Sequence, residues 1–173
     1  MKNRLIYAFI TIAATLLSAC TLVNFDRTPD AEKLSEFPAE LQGNYNIEGY
    51  KSDGDTGYVS VSKTEIDMVD NKLSTKIGLS DSIMLFKMEK FFILSIQVQE
   101  KDQLRWELYP LKTKKDCVYL YPISYSRYKK SLQKYFIATR SLKFGYQMDD
   151  TDFKKFIEKK LRRKYALKLK KQK

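Results

Sequence analysis

The sequence predicts a mainly β domain with a C-terminal helix: a small antiparallel barrel or strongly curved sheet of about seven to eight strands, packed by one amphipathic helix. Three observations point there. Apolar residues alternate with polar ones through most of the chain between positions 41 and 139. Turn-forming residues divide that stretch into short pieces. After Asp149 the apolar spacing lengthens to that of a helix.

Taken in order, segments 41–50, 58–62, 65–69, 72–79 and 83–88 read as strands, with turns expected at Asp53-Gly54-Asp55-Thr56-Gly57 and Asp70-Asn71. The clearest unit is a hairpin. Phe92, Leu94, Ile96 and Val98 alternate with Ile93, Ser95, Gln97 and Gln99. After a turn over Glu100-Lys101-Asp102, Leu104, Trp106 and Leu108 alternate with Arg105, Glu107 and Tyr109. The expectation is one apolar and one mostly polar face shared by both strands. Segments 118–123 and 135–139 read as further strands, with Pro122 placing the first at an edge or strand end.

At the C-terminus Asp149 can cap a helix, and Phe153, Phe156, Ile157, Leu161 and Tyr165 fall on one face of it. The remaining faces are basic, and the helix is expected to fray after Leu169. Charge is unevenly spread. Segment 154–173 holds eleven Lys and Arg against one acid, Glu158, while the whole chain has net charge +11. The body is therefore close to neutral, and the excess lies at the end. An anionic-surface contact is expected there, through Lys154, Lys155, Lys159, Lys160, Arg162, Arg163 and Lys164, with anionic lipid or an acidic envelope protein as partner.

The N-terminus carries an address. Lys2 and Arg4 precede an uncharged run from Leu5 to Leu17 that closes on Leu17-Ser18-Ala19-Cys20. The run is too short to span a bilayer, which takes about 20 residues, and has the three parts of a secretory signal. Its closing tetrapeptide resembles the lipobox of bacterial lipoproteins. That resemblance implies a diacylglycerol on the Cys20 thiol, cleavage between Ala19 and Cys20, and a protein held on a membrane outside the cytoplasm. Thr21 stands where enteric-type lipoproteins kept at the inner membrane tend to carry aspartate, so the outer membrane, facing the periplasm, is the expected location. Domain organisation follows: 1–19 signal, 20–37 flexible tether, 38–148 antiparallel β domain, 149–173 basic amphipathic helix and tail.

Chemistry is sparsely represented. There is no histidine, so no Ser-His-Asp or Cys-His arrangement exists in the chain. With Cys20 lipidated, Cys117 is the remaining thiol, and a buried, unreactive role fits it. Ser126-Arg127-Tyr128-Lys129 has the spacing of the Ser-x-x-Lys found in penicillin-recognising enzymes but none of their further motifs, and reads as a polar connection. Asp53 and Asp55 do not lead into calcium-loop spacing. No catalytic residue, cofactor or metal site is nominated. The aromatic and basic stretch 119–134 could suit nucleic acid, but export removes that partner.

Three functions from different classes remain. The first is a non-catalytic binding or assembly module at the membrane. The second is a carrier of a small apolar ligand: the run Phe37-Pro38-Ala39-Glu40-Leu41-Gln42-Gly43-Asn44-Tyr45 resembles the approach to the first strand of lipocalin-like barrels, with Tyr45 at the tryptophan position. That resemblance implies an internal cavity, lined here by Phe92 and Trp106. The third is an inhibitor or immunity-type lipoprotein that blocks an enzyme at the membrane.

Overall fold

The computed structural model describes residues 22–48, 57–70, 73–100, 102–139 and 144–172. Among the described residues the protein is mainly β: a strongly curved antiparallel half-barrel with two α-helices, one of them towards the C-terminus. The strands are β1 (Asn24–Phe25), β2 (Glu32–Leu34), β3 (Gly43–Ile47), β4 (Tyr58–Val61), β5 (Glu65–Asp70), β6 (Leu73–Gly78), β7 (Ile83–Met88), β8 (Phe91–Glu100), β9 (Gln103–Lys114), β10 (Cys117–Leu120), β11 (Gly145–Tyr146) and β12 (Leu167–Lys171). Helix α1 spans Tyr125–Tyr135 and helix α2 spans Asp150–Lys160. The sheet order is β2-β7-β8-β9-β10-β12-β3-β4-β5-β6, with short β1 against β9 and parallel to β11. Most of the turn 53–57, and Asn71, lie outside the described residues.

Tight turns set the central register. In β8–β9 Glu100 pairs with Gln103, which leaves two residues in the turn, and Asp102 there takes φ 61°. A three-residue turn would have aligned the two apolar sets. The two-residue turn shifts pairing by one position, which moves one strand's side chains to the other face. Leu94 therefore stands opposite Tyr109 and Ile96 opposite Glu107, whereas Trp106 stands opposite Gln97. The expectation of a shared apolar face is corrected: away from the exposed hairpin tip, both strands are buried on both sides. Phe92, Leu94, Ile96, Tyr109 and Leu111 line the inside of the curl with Leu85, Val118 and Leu169. Ile93, Leu108, Phe86 and Met88 face the helices. Phe92 and Trp106 consequently point away from each other and cannot line one cavity.

The expected flexible tether is also corrected. Within 20–37, Val23, Phe25 and Phe37 are buried, and β1 and β2 both join the sheet. Asp150 in the first turn of α2 accepts the Asp30 N–H at 2.7 Å and pairs with Arg27 at 2.5 Å, while Asp26 accepts from the Met148 N–H at 2.7 Å. Burying each such apolar side chain contributes about 1.5–3 kcal/mol, so residues 22–37 belong to the fold.

At the other end, Asp149 caps α2 as expected, accepting from the Asp152 N–H at 2.8 Å. Phe153, Phe156 and Ile157 are its buried face. The helix does not continue to Leu169. It stops at Lys160, a 3-10 turn follows at Arg163–Tyr165, and the supposed tail becomes β12, hydrogen-bonded between β10 and β3. Leu167-Lys168-Leu169-Lys170 alternates with period two, and Leu169 is buried in the curl. Lys171 crosses Gly43, whose φ is 139°: a Cβ there would lie 2.6 Å from the lysine Cε. The β domain thus runs through both expected boundaries.

Helix α1 occupies part of the stretch expected to join strands, and 135–139 is not a strand. Tyr135 ends the helix, Phe136 is its C-cap, and Ala138 makes an isolated bridge to Tyr146. Tyr125, Tyr128, Leu132 and Tyr135 recur at spacings of three and four, with Tyr128 and Leu132 buried. Tyrosine's strand preference masks that helical stripe.

Candidate anionic-surface contact

The seven expected contact residues separate into two groups. On α2, Lys154 is hydrogen-bonded to Glu89, and Lys155 pairs with Asp152 at 3.2 Å. The bond to Lys154 lowers the Glu89 pKa, and the same partner raises that of Lys154. Lys159 and Lys160 occupy the last turn, where cations favour the helix dipole. With Asp150, Asp152 and Glu158 on the same helix, its charge is nearly balanced.

The second group follows α2. Arg162 is exposed. Arg163 places its guanidinium 4.6 Å from the centre of the Tyr119 ring and donates to the Tyr119 hydroxyl. Lys164 lies 4.9 Å over the Tyr165 ring. From the helix beside them, Arg127 stacks on Tyr165 at 5.6 Å and donates to its carbonyl at 3.3 Å.

Around Tyr119 the sheet gathers four lysines that the sequence did not nominate. Tyr119 is paired with Lys112 on one side and Lys168 on the other, and Cys117 with Lys114 and Lys170. Residues directly opposite share a face. Two strand spacings by two residues along the chain put these four Cα atoms at the corners of a rectangle of about 10 by 7 Å. Lys168 is neutralised by Glu48, at 2.7 and 2.8 Å, and this bond lowers the Glu48 pKa. Among the described residues no ion pair involves Lys112, Lys114 or Lys170. Cys117, expected to be buried, is half-exposed in this basic patch. The signal available in the sequence was the alternation of Leu and Lys from 167 to 170. Only the pairing register brings those lysines beside Lys112 and Lys114.

A different set of polar groups lies inside the curl. Tyr109 donates to Glu107 at 2.6 Å, and both are buried. Burial raises the Glu107 pKa, against the lowering effect of that hydrogen bond, and drives Tyr109 well above its ordinary value. Arg105, also buried, donates to Gln103 at 2.6 Å, and Asn24 of β1 donates to Glu100 at 2.6 Å. The last of these bonds ties β1 to the central hairpin. No group of three or more potential metal ligands occurs among the described residues. Ser126, of the Ser-x-x-Lys spacing, lies 2.9 Å from Ser124 through their hydroxyls, while Lys129 lies 5.8 Å over the Tyr125 ring.

Cys20 and Ala19, the expected lipid and cleavage positions, lie outside the described residues. Among the described residues no helix is long and apolar enough to cross a membrane. No protein-family model, curated protein or solved structure matches this chain.

Proposed function

We propose that this protein is a lipid-anchored cell-envelope lipoprotein acting without catalysis, as a binding or assembly module at the membrane. The observation that carries the reading is the tetrapeptide Leu17-Ser18-Ala19-Cys20 closing an uncharged run, followed almost at once by a folded domain. The lipid on Cys20 holds the protein to the periplasmic face of the outer membrane. The basic surface around Arg163 and the sheet lysines meets an acidic envelope protein. Each basic residue near an anionic surface contributes about 1 kcal/mol at modest ionic strength.

Intact mass and membrane fractionation test the anchor. The mature protein should begin at Cys20 with a diacylglyceryl addition, and Cys20→Ala should leave the membrane fraction. A mature chain with an unmodified cysteine sinks the reading. For the basic surface, retention on an anionic matrix should weaken as salt rises and should drop in Lys112→Glu/Lys170→Glu. Retention indifferent to both removes the anionic partner.

A further inference from the structure

We propose that helix α1, rather than the C-terminal helix, is the element that rests on the bilayer, with anionic phospholipid headgroups as its partner. The inference rests on the lipid anchor proposed above and adds an orientation to it. Its first support is distance. Leu22 bridges Ser124, the residue preceding α1, and the Val23 N–H bonds to the Ile123 carbonyl at 3.0 Å. Cys20 is two residues before Leu22, and two residues reach at most about 7 Å. A lipid there cannot hold the domain at arm's length. Whatever surrounds Leu22 and the start of α1 must lie close to the headgroups.

The second support is the composition of the exposed stripe beside that point. Ser126, Lys129, Lys130, Gln133 and Lys134 are exposed and recur at the spacing of one helix face, opposite buried Tyr128 and Leu132. Ile137, two residues past the end of α1, has 69% of its surface exposed. A row of lysines followed by an unburied isoleucine suits the boundary between phosphates and acyl chains, where lysine stems lie along apolar surface and their ammonium groups reach the anions. The third support is the absence of competing charge: α1 carries four basic residues and no acid, and no Asp or Glu occurs anywhere from 117 to 148. The lysines of α2, by contrast, share their helix with three acids.

Lysine footprinting of the full mature protein tests this. The purified protein is inserted from detergent into preformed phosphatidylcholine vesicles with or without phosphatidylglycerol. It is then treated with a water-soluble amine-reactive reagent and mapped by mass spectrometry. Intact mass is recorded on the same sample. On the anionic vesicles, labelling of Lys129, Lys130 and Lys134 should fall at least about fivefold relative to detergent, with Lys76 and Lys112 unchanged. On the zwitterionic vesicles the fall should be smaller. A lipidated protein whose α1 lysines label like Lys76, or whose Lys112 and Lys170 are protected instead, overturns the orientation and leaves the anchor standing. Equal protection on both vesicle types overturns the electrostatic contact. An unmodified Cys20 removes anchor and orientation together.

Discussion

The two faces of the central sheet are both buried, yet they are built from different materials. Among the described residues, ten of the eighteen in the helix-side cluster are aromatic, against four of the fourteen inside the curl. On the helix side Phe156 sits edge-on to Tyr128 at 5.6 Å and to Phe136 at 5.5 Å, and Phe25 meets Phe153 at 5.7 Å. A helix touches a curved sheet along a narrow line, and large flat rings fill the wedges on either side of it. Inside the curl, side chains from β3 to β6 meet those from β7 to β10 and β12, and most of them are aliphatic. The difference shows that covering helices and strand curvature are separate solutions for burying the two sides of one sheet.

The same arrangement explains what the sequence disclosed and what it concealed. Strand positions were legible wherever one face met solvent, as in β4 to β6, where Val59, Ile66 and Ile77 alternate with more exposed neighbours. In β7 to β9 both faces are buried, so alternation no longer marks inside from outside. Glu107 and Arg105 then look like solvent-facing residues although both are buried. The two-residue turn at 101–102 decided the register, and its length was not readable from Glu100-Lys101-Asp102 alone. For the candidate surface, the local cluster after α2 was visible as a charge run. The rectangle of Lys112, Lys114, Lys168 and Lys170 was not, because it depends on β10 pairing with β12, through residues 49 and 53 positions apart.

Five substitutions sharpen the contrast. The largest loss is expected for Phe156→Ala, because the fully buried ring joins α2 to α1. Urea unfolding should show about 3–5 kcal/mol of destabilisation. A loss below about 1 kcal/mol would mean the helices are not packed as a rigid layer. Leu94→Ala removes an aliphatic residue from inside the curl and should cost about 2–4 kcal/mol by the same measurement. If it costs more than Phe156→Ala, the curl, not the aromatic layer, dominates stability.

A smaller change separates the two helices. Asp149 caps α2 through its side chain, whereas Ser124 at the start of α1 makes no such bond. Asp149→Ala should cost about 1 kcal/mol. The same replacement at Ser124 removes no cap, only its bond to Ser126. Hydrogen exchange at the first turns should therefore accelerate in α2 of the Asp149 variant and not in α1. Acceleration at α1 alone would reverse the assignment.

The smallest effect probes the polar groups that distinguish the curl from the helix side. Burial raises the Glu107 pKa, so the folded protein holds that proton more tightly than the unfolded chain does. The associated stabilisation is complete below the unfolded carboxyl pKa and disappears as pH rises through the raised one. Above that raised pKa the fold carries a buried carboxylate, and the Tyr109 hydroxyl offsets only part of its desolvation. Glutamine keeps an oxygen that can accept from Tyr109 and brings no charge. Glu107→Gln should accordingly be more stable than the parent at neutral pH by up to roughly 1 kcal/mol. That advantage should shrink as pH falls into the carboxyl range. Urea midpoints of the two proteins across that interval decide the matter. A glutamine variant that is less stable at neutral pH, with the deficit closing in acid, would mean that the carboxylate is favoured inside the curl, through contacts that outweigh its burial.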